Sequence, residues 1–150
     1  MRTIRQVIVH HTAGPSTETV ATIRRYHRTR GFHDIGYHWL VRELYKGGPW
    51  VVEAGRPEYQ VGAHDADENA ESIGIAIAGD YSEVAVPSSA WDVLVTLVAD
   101  RCTHYGLEAG DISGHSDHEP ASTPTLCPGF SARELRREVG RRLARWVKAA

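Results

Sequence analysis

The run Val7-Ile8-Val9-His10-His11-Thr12 constrains this chain more than any other stretch. Three β-branched apolar residues in a row favour a buried strand, and the break into two histidines means that the strand delivers polar groups to its end. In α/β domains ligand and catalytic groups collect at strand ends, where a rigid sheet aims them. Side chains alternate along a strand, so Ile8 and His10 share one face while Val9 and His11 share the other. Only one of the two histidines can then serve easily as a ligand in a given cleft. The same pattern also fits two hydrogen-bonded core histidines, and the run alone does not decide between them.

The rest of the chain supplies the partners of such a strand. Thr17 or Ser16 is the expected cap of a first helix, with Val20 and Ile23 inward and Gly31 as its stop. Tyr37 to Val41 and Trp50 to Glu53 read as strands around the Lys46-Gly47-Gly48-Pro49 break. The long irregular segment from Gly55 to Glu71 is of the kind that usually carries function. Ser72 to Gly79 is almost continuously apolar with small residues, which suits a central strand covered on both faces. A helix capped near Pro87-Ser88-Ser89 and running to about Tyr105 places Trp91, Leu94, Val95, Val98 and Cys102 inward. Ile112-Ser113-Gly114-His115 repeats the opening pattern of a strand ending in histidine. A proline-rich loop from Ser116 to Phe130 follows, and Ser131 caps a last helix with Leu135, Val139, Leu143 and Trp146 on one stripe. The expectation is an α/β fold, a single domain over residues 1–150 with a central mixed β-sheet flanked by α-helices.

Composition narrows the function. With 41% hydrophobic and 24% charged residues the chain can bury an ordinary core. A net charge of −2 gives no sign of a nucleic-acid partner. Two cysteines allow at most one disulfide, so this is no disulfide scaffold. The N-terminus lacks the apolar core of a signal peptide and no run is long enough to span a membrane. Synthesis in the cytoplasm, without stable membrane insertion, is therefore expected, with any outside action requiring export. Nine histidines are the compositional oddity. The last helix carries Arg133, Arg136, Arg137, Arg141, Arg142, Arg145 and Lys148 against Glu134 and Glu138. That run reads as a solvated face or as an attraction to an anionic polymer or membrane surface.

Two strand-end histidines, His10 and His115, and the loop thiol of Cys127 form a set suited to catalytic zinc, two imidazoles and a thiolate with a fourth position left for water. A free thiol and two capping histidines are the plainer alternative. His118, three residues past His115, is the one rival ligand.

Several segments in order decide between these. They are Val7–Gly14, Tyr26-His27 to Gly36-Tyr37-His38, Val52 to Arg56, Val61-Gly62-Ala63-His64, Asn69 to Gly74, Gly114-His115-Ser116-Asp117 and Cys127-Pro128-Gly129. Together they resemble the zinc-dependent N-acetylmuramoyl-L-alanine amidases, the superfamily that joins phage endolysins with peptidoglycan recognition proteins. The resemblance implies one Zn2+ per chain on His10, His115 and Cys127, and catalytic roles for Tyr37 of Gly-Tyr-His and for Thr125. At the latter position some phage members carry lysine, and the recognition-protein enzymes threonine. His27, His64 and Asn69 match positions lining the substrate groove. His11 and His38 are expected to support the site from behind or to fill the core. The implied activity is hydrolysis of the amide between N-acetylmuramic acid and L-alanine in peptidoglycan, by a monomer of endolysin type that reaches the wall through a holin-type pore or other export. A non-catalytic peptidoglycan-binding module and a cytosolic muropeptide-recycling amidase are the alternatives. The chain departs from the pattern in a longer His115–Cys127 loop and in Asp65-Ala66-Asp67, where some relatives place an aromatic residue.

Overall fold

Two strands are buried along their whole apolar length, and the molecule is layered around them. In the computed structural model, which describes residues 1–118 and 125–150, β1 spans Gln6–His11, α1 Val20–Thr29, β2 Trp39–Glu43 and β3 Trp50–Ala54. β4 covers Ser72–Ile77, α2 Ser88–Tyr105, β5 Ile112–Gly114 and α3 Ala132–Ala149. The sheet order is β3-β2-β4-β1-β5. β2, β4, β1 and β5 are mutually parallel, and β3 joins antiparallel to β2 as a hairpin. This is the expected mixed sheet flanked by helices, with β4 at its centre.

Alternation along the strands makes two cores. Val7, Val9, Val41, Ile73, Ile75 and Ile77 face α2 and α3 together with Leu94, Val98, Cys102, Leu135 and Val139. Leu40, Ala76 and Ala78 face the other way, onto Val20 and Ile23 of α1. Small residues on the α1 side of β4 leave room above the sheet. Cys102 lies wholly buried in the larger core and burial pushes its thiol up to about 12, as befits a packing residue. Both cysteines are free.

Several boundaries differ from the expected ones, each for a local reason. Thr19, not Ser16 or Thr17, caps α1, its hydroxyl accepting from the Thr22 N–H. Ser16 is occupied elsewhere, donating to Glu43 at 2.6 Å. α1 ends at Thr29 with Arg30 as its C-cap, and Gly31 follows at φ 93°, the stop expected of it, whereas Tyr37 precedes β2 rather than lying within it. Ser131 does cap α3, accepting from Glu134 N–H. Trp146 is 36% exposed, so the buried stripe of α3 stops short of it. Part of the basic run is used within the fold: Arg136 donates to the Ile112 carbonyl, and Arg142 reaches Thr96 and Asp92. Among the described residues no helix is long and apolar enough to cross a membrane.

One polar hub ties the long segment after β3 to the α2 side. The Glu58 carboxylate accepts from Trp39 Nε1 at 2.6 Å, Tyr105 Oη at 2.7 Å and Arg101 at 3.0 Å. Burial works against its ionisation, but these donors outweigh burial and hold its pKa below the ordinary carboxylate value. A carboxyl whose folded pKa is depressed contributes stability above its unfolded pKa of about 4.3, and that contribution is lost as pH falls through the folded value. Glu58→Gln should therefore cost about 1–3 kcal/mol at neutral pH, in the range for a charged group with several hydrogen bonds. The gap to wild type in urea unfolding should close in acid. An equal gap at both pH values would contradict the hub's charge-dependent role.

Candidate metal centre

The β1–β5 pairing sets Val9 opposite Gly114, so the residues that follow, His10 within β1 and His115 in the turn just past β5, arrive side by side. Their rings sit 4.8 Å apart between centroids. Cys127 comes from far along the chain and is pinned to both strands. Its carbonyl accepts from Ser116 N–H at 2.8 Å, and its sulfur accepts from His11 N–H at 3.4 Å. His10 Nδ1 lies 3.6 Å from Cys127 Sγ. One donor atom from each of His10, His115 and Cys127 falls within 4.8 Å of the others, and no other such group occurs among the described residues. Two nitrogens and one sulfur at this spacing fit a zinc ion, which accepts both donor types at about 2.0–2.3 Å.

His10 is 1% exposed. Burial first, then the neighbouring imidazoles, hold its pKa well below the ordinary histidine value, so it offers a neutral ring. His118 is not part of the group: its Nε2 lies 2.6 Å from Ser113 Oγ and its Nδ1 faces Glu68. His11 projects to the opposite face of β1, where its Nδ1 accepts from Tyr81 N–H, as alternation requires. His38 Nδ1 accepts from Gly74 N–H, which makes it a pin between β2 and β4.

A cleft of about 390 Å³ opens over the centre, lined by His10, His115, His27, Tyr37, His64 and Asn69 among others. Tyr37 approaches His10 to 5.2 Å between ring centroids and His27 to 5.5 Å. Burial chiefly, with the nearby Cys127 and Glu18, raises its phenol well above the usual value, so the hydroxyl keeps its proton. His27 projects from α1 and is fixed by accepting Gly36 N–H on Nδ1, which leaves Nε2–H as its other polar group. The Asn69 oxygen accepts from the backbone N–H groups of His64 and Asp65, both at 2.9 Å. Thr125 Oγ1 accepts from Cys127 N–H at 3.2 Å, beside the thiol. Of the residues singled out in the sequence, His10, His115, Tyr37, His27, His64 and Asn69 line this cleft, Cys127 and Thr125 stand beside His10 and its strand, and His11, His38 and His118 are engaged elsewhere. The middle of the proline-rich loop, 119–124, lies outside the described residues.

Two contributors carried no signal in the sequence. Ser72, at the first position of β4, holds the far side of the His64 ring at 3.2 Å. Glu18 lines a second cavity of about 420 Å³ that shares His27, Arg30 and Tyr37 with the first. A lone serine opening an apolar strand and a lone glutamate before a helix look like many others. Only the fold gives them neighbours.

A five-stranded mixed sheet with a histidine–histidine–cysteine cluster beside a tyrosine-walled cleft is a frame that could hold a metal ion, and known relatives give its class. Residues 1–130 match the N-acetylmuramoyl-L-alanine amidase family, and the chain belongs to it. It is 30% identical over 139 residues to the endolysin of Enterobacteria phage T3, spanning 85% of this chain and 82% of that protein. It is 34% identical over 131 residues to peptidoglycan-recognition protein SC1a of Drosophila melanogaster, spanning 81% of this chain and 66% of that protein. Among solved structures it resembles the N-acetylmuramoyl-L-alanine amidase LysC of Clostridium intestinale, with a TM-score of 0.79 and 29% identity over 92% of this chain and 86% of that one.

Proposed function

We propose that this chain cleaves the amide between N-acetylmuramic acid and L-alanine of peptidoglycan with one zinc ion held by His10, His115 and Cys127. The observation that carries the reading is the convergence of these three donors within 4.8 Å, with His10 and His115 lining the Tyr37 cleft. A zinc ion there supplies a Lewis acid for the carbonyl and makes water nucleophilic near neutral pH.

The chain's own groups then have definable tasks. With two imidazoles and one thiolate as its ligands, a zinc ion held by His10, His115 and Cys127 would keep a net positive charge, which attracts an electron-rich carbonyl oxygen. Tyr37, protonated at neutral pH, donates a hydrogen bond toward the oxygen on which charge develops when the carbonyl is attacked. Thr125 Oγ1 accepts from Cys127 N–H, and its hydroxyl donates its hydrogen toward the same oxygen. His27 presents Nε2–H from the cleft wall to the substrate, and His64 and Asn69 border the same groove. Residues 1–150 form one amidase domain that works as a monomer on the cell wall of a bacterium, reached through a holin-type pore or other export. A recognition module that binds the same polymer without cutting it has no need of the three ligands.

Digestion of purified sacculi tests the reaction. Mass spectrometry should find released stem peptides with a new L-alanine amino terminus and no new reducing ends, with release stopped by EDTA and restored by zinc. New reducing ends with intact lactyl–peptide bonds would overturn the reaction class, and binding without any release would favour the recognition module.

Tyr37→Phe keeps the ring that packs against His10 and His27 but loses the hydroxyl. It should fold and bind zinc as wild type does, and lose about 10²- to 10⁴-fold in turnover, the range for a positioned proton-bearing group. Undiminished turnover would make Tyr37 a packing residue.

A further inference from the structure

A metal ligand must present a lone pair on the right ring nitrogen, and an imidazole alone does not choose between its two tautomers. In this protein a row of hydrogen bonds makes that choice. Ser72 Oγ donates its hydrogen to the Glu68 carbonyl at 2.7 Å. A hydroxyl has one hydrogen, so the contact of Ser72 Oγ with His64 Nε2 at 3.2 Å requires the hydrogen to sit on Nε2. His64 is only 7% exposed, where a doubly protonated ring would be a costly buried cation. Its Nδ1 is therefore bare and accepts. That nitrogen lies 3.0 Å from His10 Nε2, which places the single hydrogen of His10 on Nε2. The lone pair of His10 is left on Nδ1, the atom that faces Cys127 Sγ at 3.6 Å.

The segment between β3 and β4 is built around this one ring. A Cβ on Gly74 would stand 2.4 Å from His64 Cδ2, and one on Gly62 2.7 Å from the same atom. Asn69 grips the backbone of His64 and Asp65. The Glu68 side chain is held by Gln6 at 2.6 Å, so the carbonyl that ends the row is anchored to the start of β1. His64 and Asn69 both border the cleft, yet these polar atoms are spent inward.

We infer that His64, oriented by Ser72, is a positioning residue that fixes the Nε2–H tautomer of His10 and turns its Nδ1 toward the metal position. The inference rests on the zinc reading of His10, His115 and Cys127. Supports of this kind change metal affinity by about 10- to 100-fold when removed.

Two measurements test it on the full chain. In ¹⁵N NMR of the zinc-loaded protein, His10 should coordinate through Nδ1 and carry its hydrogen on Nε2. Coordination through Nε2 would overturn the inference without any variant being made. In competition with a chelating indicator, His64→Leu should bind zinc about 10- to 100-fold more weakly than wild type. His64→Asn, whose Oδ1 stands near the lost Nδ1 acceptor, should recover most of that loss. Equal affinity in wild type and His64→Leu, or equal losses in the Leu and Asn variants, would reduce His64 to a packing residue. A wild-type chain that binds no zinc would instead overturn the zinc reading itself.

Discussion

The parallel pairing of β1 with β5 is the constraint on which the rest depends. Its register puts Val9 opposite Gly114 and so delivers His10 and His115 to the same level of the sheet. A slip of one residue would send His10 to the opposite face, among the apolar side chains of α2 and α3. That slip is resisted by Val7 and Val9, which are wholly buried in the larger core. The packing that stabilises the sheet and the geometry that gathers the donors are thus one set of contacts.

Around that frame the site is completed by segments with no secondary structure of their own. Cys127 is held by backbone bonds to Ser116 and to the sulfur-facing N–H of His11, and Tyr37 stands on the approach to β2. Placing reactive groups on short, heavily bonded loops beside strand ends lets the sheet stay fully paired. On the same side of the sheet, Gly74 of β4 leaves the room that the His64 ring fills. Polar groups below the metal position are linked in series, from the Glu68 carbonyl through Ser72 and His64 to His10. Each link has one hydrogen to give, so the row has a direction.

Much of this was legible in the sequence because it is local. The apolar runs of β1 and β4, the capped start of α3 and the inward stripe of α2 follow from alternation, helical spacing and a serine at an N-cap. The amidase resemblance brought together residues far apart in the chain, and the fold sets His10, His27, Tyr37, His64, Asn69 and His115 around one cleft. What was not legible depends on partners distant in sequence. Ser16 reads as a cap until Glu43, 27 residues on, takes its hydroxyl. Trp146 continues an apolar stripe on α3, yet it stands 36% exposed. His64 reads as a groove residue, and its bonds to His10 and Ser72 appear only when the strand neighbours are known. His118 has an attractive spacing from His115, but Ser113 and Glu68 engage both of its ring nitrogens.

The central claim is that His10, His115 and Cys127 hold one metal ion beside the cleft. It is tested most directly by anomalous diffraction at the zinc edge from crystals of the zinc-loaded chain. The account predicts a single peak bonded to His10 Nδ1, a ring nitrogen of His115 and Cys127 Sγ, with an open position toward Tyr37. A peak held by other residues, or a fourth protein ligand closing the site, would contradict it.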